Sequence, residues 1–521
     1  GQTLRSQLNA TDIQKGLTLG KQNSRTINNM QKNNFYITSP IFYPNAKLHL
    51  GNLYSVTVCD ILVRAHKLMG EETYFLTGAD ENTSKILKKI KENQSVEEYL
   101  FEISENTKNL HKELNISYDQ FIRTSDKERH WPGAFSFWNK LVEAGDIYKA
   151  KYIGLYCGGC EAFVTSKDLV DEKCPFHLVA PEKIEEENYF FKLSKYTEII
   201  KQKINQDELK IIPETRKNEI MSLLERGLED VSFSRPIKNV PYGIPVPNDP
   251  DQVIYVWCDA LVSYISALGY GQAGQNFFQK FWPADFHVIG KDILRFHAAI
   301  WPAMLISACL SLPKTILVHG FITFGGHKIS KSLKSAGHIS DPIELINEYG
   351  ADSLRYYLAR EVSLFEDSPF TLEHFKDVYN ANLANGLGNL VSRTLTLSEK
   401  YLTQAEVSSM EVGLTPAGSK SDFHTALDQQ LSFYKNFEIK KAADTIWEKI
   451  GELDKFIQEE EPFKIIKIDE KKGKELILKM VSGLYLISCM LEPVMPSTSN
   501  LIKKLIQENK KPDQPIFLRK I

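Results

Sequence analysis

An apolar run, Phe35-Tyr36-Ile37-Thr38-Ser39-Pro40-Ile41-Phe42-Tyr43, leads within a few residues into His49-Leu50-Gly51-Asn52 and an amphipathic stretch reaching Lys67. No other feature constrains the fold as much, because it reads as strand, tight turn and helix. Such a turn aims backbone N–H groups without helical partners, and the positive end of the helix dipole, at one point where an anion binds. The pattern recurs. Tyr74–Thr77 reads as a strand ending in Gly78-Ala79-Asp80-Glu81-Asn82. Val253–Trp257, Phe286–Gly290 and Thr315–His319 read as three more, each followed by a helical stretch or a loop. This alternation predicts an α/β fold of Rossmann type, a doubly wound parallel sheet with ligands at the carboxyl ends of its strands. His49, Asp80, Trp257, Lys291 and Lys331 all fall just beyond such ends, which predicts one shared crevice.

A chain of 521 residues exceeds one ordinary core, so several domains are expected. Its 42% hydrophobic and 25% charged content is that of a globular protein. The apolar stretch from Trp301 to Leu312 is too short to span a bilayer, so no membrane partner is expected. Net charge is −3, so any nucleic acid must be met by local patches rather than by the overall field. Residues 1–33 lack periodicity and read as an added leader, a disordered tail or an organellar transit remnant. The parallel pattern, in two halves at 34–145 and 249–325, is interrupted over 146–248 by a segment of different character. A loop and linking region covers 326–378, and helical periodicity dominates 379–521.

The interrupting segment carries a metal signal. Cys157-Gly158-Gly159-Cys160 is followed by Cys174-Pro175-Phe176-His177. Three thiolates and an imidazole at this spacing suit a closed, structural tetrahedral Zn2+ site, whereas a Cys157–Cys160 disulfide is the plainer alternative. The other cysteines, Cys59, Cys258, Cys309 and Cys489, sit in apolar surroundings and read as packed core residues.

The first turn pairs with a distant, basic one, Lys328-Ile329-Ser330-Lys331-Ser332, in a Gly- and Lys-rich loop. In that order the two resemble the HIGH and KMSKS signatures of class I aminoacyl-tRNA synthetases. Pro40–Asn45, Gly78–Glu81, Tyr255–Ala260, Gly290–Ile293, Phe296-His297 and Trp301–Ala303 narrow the resemblance to the methionyl-tRNA synthetase family, single-zinc-knuckle bacterial type, over nearly all of Phe35–Ile521. The resemblance implies ATP as its Mg2+ complex, L-methionine and tRNA(Met) as substrates. It implies phosphate and adenosine contacts from His49, Gly51, Asn52, Gly290 and Asp292, with Gly51 letting adenine lie against the backbone. Lys328 and Lys331 would act on the departing pyrophosphate. The methionine pocket would comprise Ile41, Tyr43, Asp80, Trp257, Ala260, Leu261, Tyr264, Ile293 and His297. An aromatic slot suits a thioether, Asp80 suits the substrate ammonium, and Tyr264 or His297 is expected to donate to the sulfur. Without the resemblance, Trp257 and Tyr264 at seven-residue spacing read as core aromatics.

Two positions depart from the family pattern. Asn52 stands where a His closes the first signature, and Asn82 where a His closes the acidic one. Asn donates a hydrogen bond but carries no charge, so either other groups compensate or the activation step is slower, with a noncatalytic tRNA-binding paralogue as the alternative. Retention of His49, Asp80 and Lys331 predicts an active enzyme. The resemblance also implies that Asp341–Glu344 and Tyr349–Tyr357 belong to a region meeting the tRNA stem. It further implies that Asn389, Arg393 and Phe463, the last in place of a Trp, read the anticodon. Synthetases for isoleucine, valine or leucine carry an editing insertion for which this chain has no room. A cysteinyl enzyme would hold zinc in its amino-acid pocket. The expected state is a cytoplasmic monomer, with an organellar matrix as the alternative.

Overall fold

The computed structural model describes residues 33–43, 48–83, 86–87, 89–158, 162–164, 169–175, 178–274, 276–324, 327–328, 341–409 and 420–520. Six strands make the central sheet: β1 (Asn34–Phe42), β2 (Glu72–Ala79), β3 (Gln120–Arg123), β4 (Lys210–Ile212), β5 (Phe286–Gly290) and β6 (Thr315–His319). Their order is β3-β2-β1-β5-β6-β4, with every pairing parallel. The order reverses between β1 and β5, the place where a doubly wound sheet opens a crevice at its carboxyl edge. The buried strands are mostly apolar because helices cover both faces, though polar Thr38, Thr77, His287 and His319 are buried among them.

Two readings of the sequence need correction. Val253–Trp257 is not a strand of this sheet. Asp249–Ile254 pairs antiparallel with Ser234–Pro236 and Pro245–Val246, and a helix starts at Val256. Its unbroken apolar run suits a buried strand or a buried helix equally, and helix prevails from Val256 on. Nor is the whole of 146–248 outside the sheet. Ala162–Val164, Ile147–Cys157, Glu182–Phe191 and Val231–Ser232 form a four-stranded antiparallel sheet, but β4 returns between the last two to pair with β6. At three residues, β4 is too short to show a period.

Helix α1 (Leu50–Leu68) follows β1, α2 (Trp131–Glu143) follows β3, and α3 is Val256–Ser266. Beyond the lysine loop come α4 (Ala351–Arg360), α5 (Asn389–Tyr401), α6 (Ile439–Glu460), α7 (Glu470–Leu491) and α8 (Pro496–Glu508). No described residue after Pro369 lies in a strand.

One buried cluster ties this helical region to α1. The Arg355 guanidinium on α4 is 0% exposed and meets Asp60 of α1 at 2.7 Å. It also donates to the carbonyls of Val494 at 2.9 Å, Pro493 at 2.8 Å and Leu114 at 3.2 Å. Asp60 accepts further bonds from Arg64 and from the backbone and hydroxyl of Ser117. Burial pushes the Asp60 carboxyl up. Arg355, Arg64 and Ser117 more than offset that and hold it below the usual range.

Candidate active site

The crevice at the β1/β5 reversal is built from strand ends. His49 caps α1: its Nδ1 accepts the Asn52 N–H at 3.3 Å, and Asn52 Oδ1 accepts the His49 N–H at 3.2 Å. The reciprocal box leaves the Asn52 NH2 as the donating end. The first turn of α1 carries no acid, so nothing there cancels the dipole that favours an anion. A Cβ at position 51 would lie 3.1 Å from the His49 ring, so the glycine first of all makes room for its own cap. The sequence had suggested only adenine as the neighbour needing that space.

Asp80 is buried at the end of β2, and its N–H donates to the Phe42 carbonyl at 3.0 Å, drawing the ends of β1 and β2 together. Gly78, two residues earlier, is obligatory because a Cβ there would sit 2.2 Å from the Ile122 carbonyl. Glu81 points elsewhere. It is buried among Ser104, Arg123 and Ser125 and serves as a structural acceptor. The Asn82 amide donates to the Ile254 carbonyl at 3.1 Å, joining the acidic turn to the residues that lead into α3.

Trp257, Ala260, Leu261 and Tyr264 are all buried on α3. Trp257 stacks face to face on Phe296, centroids 3.6 Å apart, with His297 edge-on at 6.5 Å. Phe296 is an aromatic wall that the sequence reading quoted but did not assign to the pocket. His297 lies in a π-helical turn, Phe296–Ile300, whose wider winding is frequent at functional sites.

The hydrogen bonds fix the protons here. His297 Nδ1 faces the Ile293 carbonyl at 3.0 Å, which can only accept, so Nδ1 carries the proton. Burial holds His297 neutral, with its pKa lowered to about 4. Its Nε2 therefore accepts from the Tyr264 hydroxyl at 2.8 Å. Both protons expected to meet a substrate sulfur are thus committed to protein acceptors. His287 lies under Tyr264, ring centroids 4.4 Å apart. It accepts from the Trp301 indole and donates from Nδ1 to Thr38, so it too is neutral, its pKa depressed by burial. Burial, with smaller contributions from Cys59 and Asp80, pushes the Tyr264 phenol above its usual value.

A second buried network, Asp259–His130–Ser266, fastens α3 to the start of α2. Histidine and carboxylate lie far apart in sequence, which hid it. Gly290 ends β5 and Asp292 lies in the turn after it, where a Cβ at 290 would approach the Asp292 carboxylate to 2.8 Å. Lys328 lies in a short strand paired with Thr323, its side chain outside the described residues, as is all of Lys331.

In the antiparallel segment, Cys157 and Cys174 are buried, while Cys160 and His177 lie outside the described residues. Among the described residues no three metal-binding side chains converge. Cys309 is exposed, not a core residue, because it sits at φ 55 just past a helix end.

The family model described as tRNA synthetases class I (M) matches residues 35–179 and 159–395. The methionine–tRNA ligase of Clostridium acetobutylicum is 42% identical over 481 residues, covering 91% of this chain and 73% of the relative. That of Thermotoga maritima is 37% identical over 486 residues, covering 92% and 76%. A solved Mycobacterium tuberculosis methionyl-tRNA synthetase in complex with methionyl-adenylate superposes with a TM-score of 0.82 at 32% identity, covering 93% of this chain and 95% of that one. The chain belongs to the methionine–tRNA ligase family.

As a class I synthetase, this enzyme has the parallel sheet and helical carboxyl-terminal region of its fold. In the helical region, Asn389 donates to the Asn385 carbonyl, and Arg393 is half-exposed and paired with Asp454 of α6. Phe463 is 41% exposed at the start of a short helix, so it is not held in the core. No helix among the described residues is long and apolar enough to cross a membrane.

Proposed function

We propose that the chain joins L-methionine to the 3′ end of tRNA(Met), using ATP as its Mg2+ complex. The observation that carries this reading is the convergence of three groups at one sheet edge: the unneutralised amino end of α1, the Asp80 carboxylate, and the aromatic wall of α3 with Phe296. In the first step a methionine carboxylate oxygen attacks the α-phosphorus, and the bond to the β-phosphate oxygen breaks to release pyrophosphate. His49, the Asn52 NH2 and the N–H groups of α1 hold phosphate, while Gly290 and Asp292 take the adenosine. Lys328 and Lys331 stabilise charge on the pyrophosphate side. In the second step the terminal ribose hydroxyl of the tRNA takes the methionyl group and AMP leaves. Catalysis is positioning and charge stabilisation, with no protein nucleophile.

Asp80 receives the methionine ammonium, and Ile41, Tyr43, Trp257, Ala260, Leu261, Tyr264, Ile293 and His297 line the side-chain slot. Because the Tyr264 and His297 protons are committed internally, the sulfur is selected by aromatic contact and fit rather than by a donated hydrogen bond. Cys157, Cys160, Cys174 and His177 fit a zinc ion. Cys157 and Cys174 are buried in that segment, and all four side chains are of the right donor type. Zinc there would brace the antiparallel segment, leaving no open position for chemistry. Asn389, Arg393 and Phe463 read the anticodon, with Phe463 offering an exposed ring for base stacking. The enzyme acts as a cytoplasmic monomer.

The test is to assay Arg393→Ala in two reactions. Methionine-dependent ATP–pyrophosphate exchange is expected to stay within about twofold of wild type, while charging of tRNA(Met) falls at least about tenfold. Equal loss in both reactions would overturn the anticodon role.

A further inference from the structure

Lys291 lies between Gly290 and Asp292 in the nucleotide turn after β5, yet its charge is not directed at the crevice. Its ammonium meets both carboxylate oxygens of Asp367 at 2.8 Å and lies 4.5 Å from the ring centre of Phe321. The same carboxylate accepts the Phe321 N–H at 2.9 Å. Phe321 is the residue before the strand Ile322–Phe324, from which the lysine loop departs. The segment around Asp367 is laid against that root. The Ser368 N–H donates to the Phe321 carbonyl at 2.8 Å, and the Phe370 N–H to the Thr323 carbonyl at 2.9 Å. A Cβ at Gly320 would lie 2.3 Å from the Glu366 carbonyl, so the approach tolerates no side chain.

We propose that Lys291 and Asp367 are positioning residues, an ion-pair clamp that fixes the root of the lysine loop to the turn holding the adenosine. How far Lys328 and Lys331 reach depends on where the strand that precedes them is anchored. One carboxylate joins the nucleotide turn, the residue that starts that strand, and the segment paired with it. Burial raises the Asp367 carboxyl, but Lys291 and the Phe321 N–H outweigh it and hold the group ionised below the usual range. The inference rests on reading the lysine loop as the group that meets the departing pyrophosphate.

The experiment measures adenylate formation in single turnovers of the full chain for Lys291→Met, Asp367→Asn, the double variant and Lys331→Ala. Each single clamp variant is expected to slow the step about five- to tenfold and to leave the KM for methionine within about twofold. The double variant should be no slower than the slower single, and Lys291→Arg should recover most of the rate. Additive losses, an unchanged rate in Asp367→Asn, or a parallel rise in the methionine KM would overturn the clamp. If Lys331→Ala is slow and Asp367→Asn is not, the clamp fails while the loop reading stands. If Lys331→Ala is unchanged, the loop reading fails, and the clamp with it.

Discussion

Replacing Arg355 with Met removes a fully buried guanidinium from the joint between α1, α4 and the end of α7. The side chain is of similar length, so the loss is chiefly electrostatic. Asp60 stays buried with Arg64 as its remaining cation, and the carbonyls of Leu114, Pro493 and Val494 each lose a donor. Breaking a buried pair by deleting one partner costs about 3–5 kcal/mol, and each orphaned acceptor adds about 1 kcal/mol or more, not additively. The destabilisation at pH 8 should therefore be about 4 kcal/mol.

Its pH dependence identifies the cause. In the wild type the depressed Asp60 pKa contributes stability above the unfolded value of 3.8, lost only as pH falls through the folded pKa. In the variant the main influence left is burial, which raises the pKa. Asp60 then takes up a proton in mild acid, and the deficit relative to wild type shrinks between pH 8 and pH 5. The assay is urea unfolding followed by tryptophan fluorescence at the two pH values, with Asp60→Asn/Arg355→Met as companion. The double variant should recover at least about half of the loss at pH 8. A deficit below about 1 kcal/mol, or one independent of pH, would refute the reasoning.

Other outcomes follow from the site. Asn52→His restores a ring that can carry charge beside the phosphates, and pyrophosphate-exchange kcat should rise several-fold, up to about tenfold; an unchanged or lower kcat would show that the capping box, not the charge, is what position 52 supplies. His297 and His111 are both held to about 4 by burial against 6.5 unfolded, so the unfolded chain binds more protons between those values and stability should rise with pH through that window. His297→Gln should flatten that rise in a thermal-unfolding series, and an unaltered slope would remove His297 from the account. Metal analysis should find about one zinc per chain, with Cys157→Ser lowering both zinc content and the unfolding temperature. Zinc-free wild type of unchanged stability would leave the cysteine pairs unexplained.

The strand–turn–helix of β1 and α1 was readable because its cues are local: an apolar run, a capping residue and a helical period within a few dozen residues. The same holds for the acidic turn at Asp80, whereas Trp257 and Tyr264 read locally as core aromatics and only the family resemblance assigned them to a pocket. What escaped had no local cue. β4 is three residues long, and its place in the sheet is set by pairing with β6. Val253–Trp257 misled because β-branched and aromatic residues in a short run fit a buried strand as well as a buried helix. Pairs such as Arg355–Asp60, His130–Asp259 and Lys291–Asp367 join residues far apart in the chain, and neither partner's neighbours predict the other. The proton bookkeeping at Tyr264 and His297 needed coordinates, because it depends on which ring nitrogen faces the Ile293 carbonyl.

The central claim is that a crevice closed by Asn52 and Asn82, in place of histidines, still activates methionine. It is tested most directly by ATP–pyrophosphate exchange with the full chain across methionine, homocysteine, isoleucine and leucine. The account predicts methionine-dependent exchange, weaker exchange with homocysteine, and none above background with the branched amino acids. Absence of methionine-dependent exchange by a folded chain that binds tRNA(Met) would contradict it.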